Sequence, residues 1–310
     1  MSGMNFLEKL LDGVAVEWKP LGDVVLPTSN IKWRNTDRIY RHIDLTSVSI
    51  ETKKIAEITE IKANNAPSRA QKLVEKNDVI FATTRPSQQR YCLIDNEYSG
   101  EVASTGYCIL RAKKDEVLPK WILYCIASNN FKIYVEENQS GSAYPAISDT
   151  KVKDFIIPIP PLKIQAEIVR ILDTFTALTA ELTDRKKQYN YYRDRLLTFE
   201  EGEVEWKTLG EVYKFQYGMG NTIPTLGGEY PVYGSNGIVG THNEFNSEDS
   251  PVIGHIGAYA GIVNWGAGKH FVTYNGVICK LINKLVHPKY AYYELPRRKR
   301  TGYQNQKRAS

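Results

Sequence analysis

The residues between 62 and 90 carry the most distinctive chemistry in the chain. Lys62, Arg69, Lys72, Lys76, Arg85 and Arg90 are opposed there only by Glu75 and Asp78, a local excess of four positive charges. Within this stretch TTRPSQQR (83–90) concentrates side chains that suit nucleic-acid edges. Arginine forks onto guanine, glutamine pairs with adenine, and threonine reaches base edges or phosphate. A solvated polar hairpin turn is the alternative for any single residue. A second turn, GHIGAYAG (254–261), is uncharged and offers His255 and Tyr259 among glycines that permit close backbone approach, with Lys269 and His270 expected nearby.

Catalytic patterns are missing. WGAGKH (265–270) lacks the first glycine of a phosphate loop, where Val263 stands, and no Ser or Thr follows Lys269. The Pro-Pro of IPIPPL has neither the polar residue before it nor the aromatic after it that a base methyltransferase needs. Histidines 42, 242, 255, 270 and 287 show no metal-ligand spacing. Cysteines 92, 108, 125 and 279 form no C-x-x-C and sit in apolar runs, which predicts buried free thiols. No metal or cofactor is expected. Two E-W-K triplets, Glu17 to Lys19 and Glu205 to Lys207, end like a nuclease motif, but no suitable Asp precedes the first. Their repetition predicts structural tryptophan anchors.

These residues need a scaffold, and the chain is long enough to build one. Its 310 residues allow two ordinary domains, and 42% hydrophobic content argues against wholesale disorder. No apolar run approaches the roughly 18 residues of a membrane helix, so a soluble, cytoplasmic protein is expected. The net charge of +5 resides in residues 294–310, leaving 34 basic against 34 acidic groups in residues 1–293. Bulk charge therefore says nothing about the folded part.

Internal similarity supplies the organisation. GVAVEWKPLGDV (13–24) matches EGEVEWKTLGEV (201–212), and DVIFATTRPSQQRYCLI (78–94) matches SPVIGHIGAYAGIVNW (250–265). STGYCILRA (104–112) then answers TYNGVICKLI (273–282), and LPKWILYCI (118–126) answers VHPKYAYYEL (286–295). Four matches in one order mean two copies of a domain. Each mixes short strands (79–83, 90–94, 106–111) with a helix over 118–138, so the fold class is α+β.

Between the copies, Ile164, Ile168, Ile171, Phe175, Leu178, Leu182, Tyr189, Tyr192, Leu196 and Phe199 recur at steps of four and three, broken only at Arg185. That is a heptad seam. Pro161 suits its first turn, and residues 162–199 would form a rod of roughly 57 Å. The reading is thus a short N-terminal helix (1–12), a first domain (13–160), a coiled-coil-type spacer (161–199), a second domain (200–293) and a basic tail (294–310).

GSAYPAISDTKVKDFIIPIPPLKIQAEIVRILD (141–173), followed by the spacer and a repeated EWKxLG, resembles the specificity subunit of type I restriction-modification enzymes. The resemblance covers about residues 5–293. It implies two target-recognition domains that each read part of a bipartite DNA site, joined by two long antiparallel helices. Those helices dock methyltransferase subunits and, through them, restriction subunits. The chain itself is then a non-catalytic adaptor. The first helix matches residues 162–199, and its seam from Ile164 to Leu196 would bind partners. Nothing like GSAYPAIS, IPIPPL or a second spacer follows Tyr293, which predicts a shortened second copy. An alternative is that such a chain is defective or self-pairs through the seam as a homodimer.

On this reading Arg85, Gln88, Gln89 and Arg90 read bases, Thr84 meets base edges or phosphate, and Lys62, Arg69 and Lys72 hold phosphates. In the second domain His255, Tyr259 and Lys269 take these roles.

Overall fold

The computed structural model describes residues 13–200, 202–220 and 227–300, with side chains to Pro296. The expected helix over 1–12 lies outside the described residues. The chain divides into two compact units between Thr179 and Ala180, inside its longest helix.

Unit 1 begins with β1 (Glu17–Pro20), β2 (Val25–Leu26), β3 (Tyr40–Ile43), β4 (Thr59–Ile61) and β5 (Ala70–Leu73). It continues with β6 (Val79–Ala82), β7 (Tyr91–Leu93), β8 (Val102–Ser104) and β9 (Tyr107–Ala112). One sheet has the order β2-β9-β6-β7 and is antiparallel throughout. A second, β4-β3-β8-β5, contains one parallel pair, β3 with β8. Both faces of the first sheet are buried, which explains its unbroken apolar runs. Val79 and Phe81 pack with Cys108 and Leu110 beneath the helices, whereas Ile80 and Ala82 pack with Tyr107 and Ile109 on the other face. That is the period of two of a strand.

The helix expected over 118–138 is two helices, α1 (Pro119–Ile126) and α2 (Asn129–Asn138). Ser128 breaks them, because its hydroxyl accepts the Phe131 amide at 3.2 Å and caps the second. Ser148 caps α3 (Asp149–Lys153) in the same way. Strand β10 (Ile156–Ile159) then returns to pair with β1, with Trp18 opposite Pro158. Trp18 is 67% exposed and Trp206 60%. The predicted tryptophan anchors are therefore wrong: both indoles lie largely in the open, the first on strand β1 and the second on a segment, 205–208, that joins no strand.

The long helix, α4 (Leu162–Leu196), has 35 residues and is about 52 Å long. Its first turns are fastened to unit 1 by Gln165, which is fully buried. Gln165 Nε2 donates to the carbonyls of Glu116 (3.0 Å) and Pro160 (2.8 Å), and its Oε1 accepts the Leu118 amide (2.9 Å). Two turns on, Asp173 accepts from Lys120 Nζ (2.6 Å) and the Tyr124 hydroxyl (2.7 Å). Ile164, Ile168 and Ile171 are half-buried here, but every residue from 174 to 189 is exposed.

Unit 2 contains α5 (Leu209–Val212), β11 (Tyr213–Tyr217), β12 (Tyr230–Gly234), β13 (Gly237–His242), β14 (Ser247–Gly254), β15 (Val263–Val272), β16 (Gly276–Leu281) and α6 (Tyr290–Arg300). Its sheet runs β11-β16-β14-β15-β12-β13. The first four positions repeat β2-β9-β6-β7, and the parallel pair of β12 with β15 answers that of β3 with β8. The sequence repeat is thus a repeat of topology. Helix α6 buries Ala291 and packs Leu295 on the core, so the expected tail from 294 begins inside a helix. Residues 301–310 lie outside the described residues.

Replacing Gln165 with leucine strands two carbonyls and an amide in a dry site. The first transition in urea unfolding is expected to lose about 2–4 kcal/mol of stability. A loss below about 0.5 kcal/mol, the scale of a surface change, would refute the anchoring role.

Candidate nucleic-acid interface

The connection between β6 and β7 is built rigidly. The Thr83 amide and hydroxyl both donate to the Gly106 carbonyl (2.8 and 2.9 Å), and the Arg85 amide donates to Pro145 O (2.7 Å). Pro86–Gln88 forms one 3-10 turn, flanked by Arg85 (φ 50°) and Gln89 (φ 51°) in the left-handed region. Neither is glycine, so each conformation costs on the order of 1–2 kcal/mol, and such strain concentrates at working sites.

Arg69, Thr84, Arg85, Gln88 and Arg90 line one cleft of about 960 Å³, together with His42, Asp44, Glu57 and Thr59. Five of the eight residues proposed for unit 1 are therefore brought together. Tyr144 joins them. It is 71% exposed, and the Arg85 guanidinium lies 5.3 Å from its ring centroid. The sequence reading missed Tyr144, although an aromatic held between Gly141 and Pro145 was the available signal. Glu75 and Asp78, which seemed to oppose the basic stretch, are both engaged by Arg111, at 2.7 and 2.8 Å.

Three assignments change. Lys72 does not present its ammonium to the cleft, because Nζ is held by Asp149 Oδ2 and Tyr107 O, both at 2.6 Å. It ties β5 to α3. Gln89 turns inward on the loop: its side-chain Nε2 donates to Pro86 O (3.0 Å), and its main-chain carbonyl accepts Lys53 Nζ (2.6 Å). Arg90 is partly committed, donating to Val48 O (2.6 Å) and Gln88 Oε1 (3.1 Å). Lys62 is exposed on the turn after β4 and does not line the cleft.

In unit 2 the equivalent connection, between β14 and β15, opens on aromatics. His255 lies edge-on to Tyr217 (4.9 Å) and Tyr274 (5.3 Å), and those two tyrosines stack at 5.8 Å. Both are about half exposed, as is Tyr259. The His255 Nδ1 is buried without a partner among the described residues. Tyr217 and Tyr274 come from separate strand ends, so no local pattern announces them.

Lys269 and His270 do not join this cluster. Ser247 pairs with His270 and Ile253 with Val263, which puts Lys269 at the opposite end of the β14–β15 ribbon, roughly 20 Å away along the strand. Its ammonium sits over Phe245. His270 is fully buried, bonded to Gly268 O (2.8 Å) and Ser250 Oγ (3.3 Å), and is a core residue.

The cysteines are free, and burial pushes the thiols of Cys92, Cys108, Cys125 and Cys279 up to about 12. Such thiols are poor nucleophiles at neutral pH. Burial also holds His42 and His270 below the ordinary histidine value of 6.5. Above 6.5 both states keep them neutral. As pH falls through 6.5 the unfolded chain takes up protons that the folded one refuses, so stability falls. Urea unfolding at pH 5.5 should therefore show a lower midpoint than at pH 7.5, and His42→Gln should narrow the gap. A pH-independent midpoint would contradict the burial of both rings.

A sequence profile described as the type I restriction modification DNA specificity domain matches residues 16–189. The EcoprrI type I restriction enzyme specificity subunit of Escherichia coli is 33% identical over 91% of this chain and 77% of its own length. The EcoR124I/EcoR124II specificity subunit, also from Escherichia coli, is 38% identical over 71% of this chain, which spans 54% of that relative. Among solved structures, the HsdS subunit from Thermoanaerobacter tengcongensis superposes with TM-score 0.51 at 22% identity, over 90% of this chain and 78% of that one. The S subunit of a type I restriction-modification system from M. genitalium gives 0.58 at 15% identity, over 92% and 77%. These structures show the fold alone.

Proposed function

Because the chain belongs to the family of type I restriction-modification DNA specificity subunits, we propose that it reads double-stranded DNA for such a complex and catalyses no step itself. One observation carries the reading. Two units share a strand order while presenting different chemistry at the equivalent strand connection, Arg85, Gln88 and Tyr144 in one, Tyr217, His255 and Tyr274 in the other. A duplicated frame with divergent tips is what a reader of two different half-sites requires.

In unit 1, Arg85 and Gln88 address base edges, Tyr144 orients the Arg85 guanidinium, and Arg69 and Lys62 hold the phosphate backbone. Arg90 supports the turn from behind. In unit 2, His255, Tyr259 and Tyr274 supply hydrogen bonds and ring faces without net charge. Methylation and cleavage belong to the methyltransferase and restriction subunits that assemble with it, and the complex works in the cytoplasm.

The exposed part of the seam, Phe175, Leu178 and Leu182, is the docking face for the methyltransferase. A second reading, self-pairing through the same face into a homodimer, is favoured by the more than half exposure of all three side chains. Light scattering without methyltransferase separates the two: a monodisperse monomer at micromolar concentration rules out self-pairing.

Removal of one good base contact costs about 1–3 kcal/mol, or roughly 10- to 100-fold in affinity. Arg85→Ala should lose that much in a fluorescence-anisotropy titration and relax only one half of the recognised sequence. The double change His255→Ala, Tyr274→Ala should relax only the other half. If either variant altered both halves or neither, the assignment of one half-site to each unit would fail. Phe175→Asp with Leu178→Asp, on exposed positions, should abolish co-purification with the cognate methyltransferase while leaving the circular dichroism spectrum unchanged. Retained co-purification would remove the docking role from this face.

A further inference from the structure

The cleft of about 960 Å³ that gathers Arg69, Arg85 and Arg90 also holds two carboxylates, Asp44 and Glu57. Phosphates repel such groups, so a carboxylate in a DNA-facing cleft needs a donor of its own. Neither side chain forms an ion pair or a hydrogen bond among the described residues, although the arginines share the cleft. The arginines turn elsewhere. Arg90 is engaged by Val48 O and Gln88 Oε1, and the Arg85 guanidinium lies beside the Tyr144 ring.

The two carboxylates are held differently. Glu57 is exposed on the approach to β4, where water can serve it. Asp44 is half-buried directly after β3, and its main chain is fixed on both sides. Its amide donates to Ser47 Oγ (3.0 Å), while its carbonyl accepts the Ser47 amide (3.0 Å) and the hydroxyl of the fully buried Tyr107 (3.0 Å). His42, two residues earlier, lines the same cleft and is buried, its Nε2 without a partner among the described residues. Burial holds that imidazole below 6.5, so at neutral pH it supplies no cation to pair with Asp44. Asp44 is thus a positioned acceptor with no donor from its own chain.

Few base edges can provide one. In the major groove only the cytosine N4 and adenine N6 amino groups donate. Adenine sets its N7 acceptor beside N6, which repels a carboxylate, whereas cytosine carries only a ring C–H beside N4. We propose that Asp44 is a specificity-determining residue of unit 1, accepting a hydrogen bond from the N4 amino group of a cytosine in its half-site. The guanine opposite presents O6 and N7, which suit the fork of Arg85, so one C·G pair offers a partner to each sign of charge in the cleft. The half-site read by unit 1 therefore contains at least one specified C·G pair. This inference rests on the DNA-reading assignment above and adds the base to it.

The test titrates the complex of the full chain and its methyltransferase into fluorescein-labelled duplexes of the recognised sequence, followed by anisotropy. Each cytosine of both half-sites is replaced in turn by 2-pyrimidinone, which lacks the N4 amino group. One replacement, in the half that Arg85→Ala relaxes, should weaken binding about 10- to 100-fold, the scale of one good base contact. In Asp44→Ala the same replacement should cost less than about twofold, because the acceptor is already gone. That comparison also cancels the weaker base pairing of the analogue. Asp44→Asn, whose amide pairs with adenine N6 and N7, should move the preference at that position from cytosine toward adenine. A unit 1 half-site without a C·G pair would overturn the proposal, as would equal losses in Asp44→Ala and the unaltered chain. If Asp44→Ala does not fold, the scan on the unaltered chain still decides, since indifference at every cytosine of that half overturns it. An Arg85-dependent half that ignores N4 removes the role of Asp44 alone. A complex that binds no sequence specifically would overturn the DNA-reading assignment along with it.

Discussion

The burial of Gln165 is the constraint on which the rest of unit 1 depends. A helix that leaves a domain must end the domain's hydrogen bonding cleanly, because buried backbone groups without partners cost about 1–3 kcal/mol each. Gln165 resolves this with one side chain, taking up the Leu118 amide and the Glu116 and Pro160 carbonyls where α1 and β10 meet α4. The paired carboxylate at Asp173 adds a second fixed point two turns later. Partial burial pushes that carboxyl up, yet the hydrogen bonds from Lys120 and Tyr124 and the lysine charge outweigh it and leave it below the usual range. Two fixed points define a direction as well as a position. The helix therefore leaves unit 1 at a set angle.

The exposed seam follows from the same arrangement. Once Ile164, Ile168 and Ile171 have packed on unit 1, the heptad continues through Phe175, Leu178 and Leu182, each more than half exposed. An exposed apolar stripe of this kind invites a partner chain. Function is thereby divided along the chain. On the proposed reading, strand connections carry the specificity, whereas the helix carries the assembly.

Much of this was legible in the sequence because it was local. The strands at 79–83, 90–94 and 106–111 lie within a residue or two of their observed bounds, since runs such as VIFA bury both faces of a sheet. The heptad seam and the duplication were also plain, the latter now seen as one strand order used twice. What escaped depended on contacts between distant residues. Lys72 looked like a phosphate ligand until Asp149, 77 positions away, claimed its charge. His270 was expected near the second turn until the ribbon register buried it against Ser250 at the far end. Tyr217 and Tyr274 meet His255 only because β11, β14 and β16 are neighbours in the sheet. The tryptophan of EWK was misread for the opposite reason: a repeated residue was taken as buried, although both copies leave the indole largely exposed.

The central claim is that two units of one topology read two different half-sites. Single-molecule sequencing of methylated bases, on DNA from a host carrying this chain with its methyltransferase partner, tests it most directly. The account predicts a bipartite motif, two specified half-sites of different sequence separated by a fixed, unspecified gap. A continuous motif, or one with identical inverted halves, would contradict it.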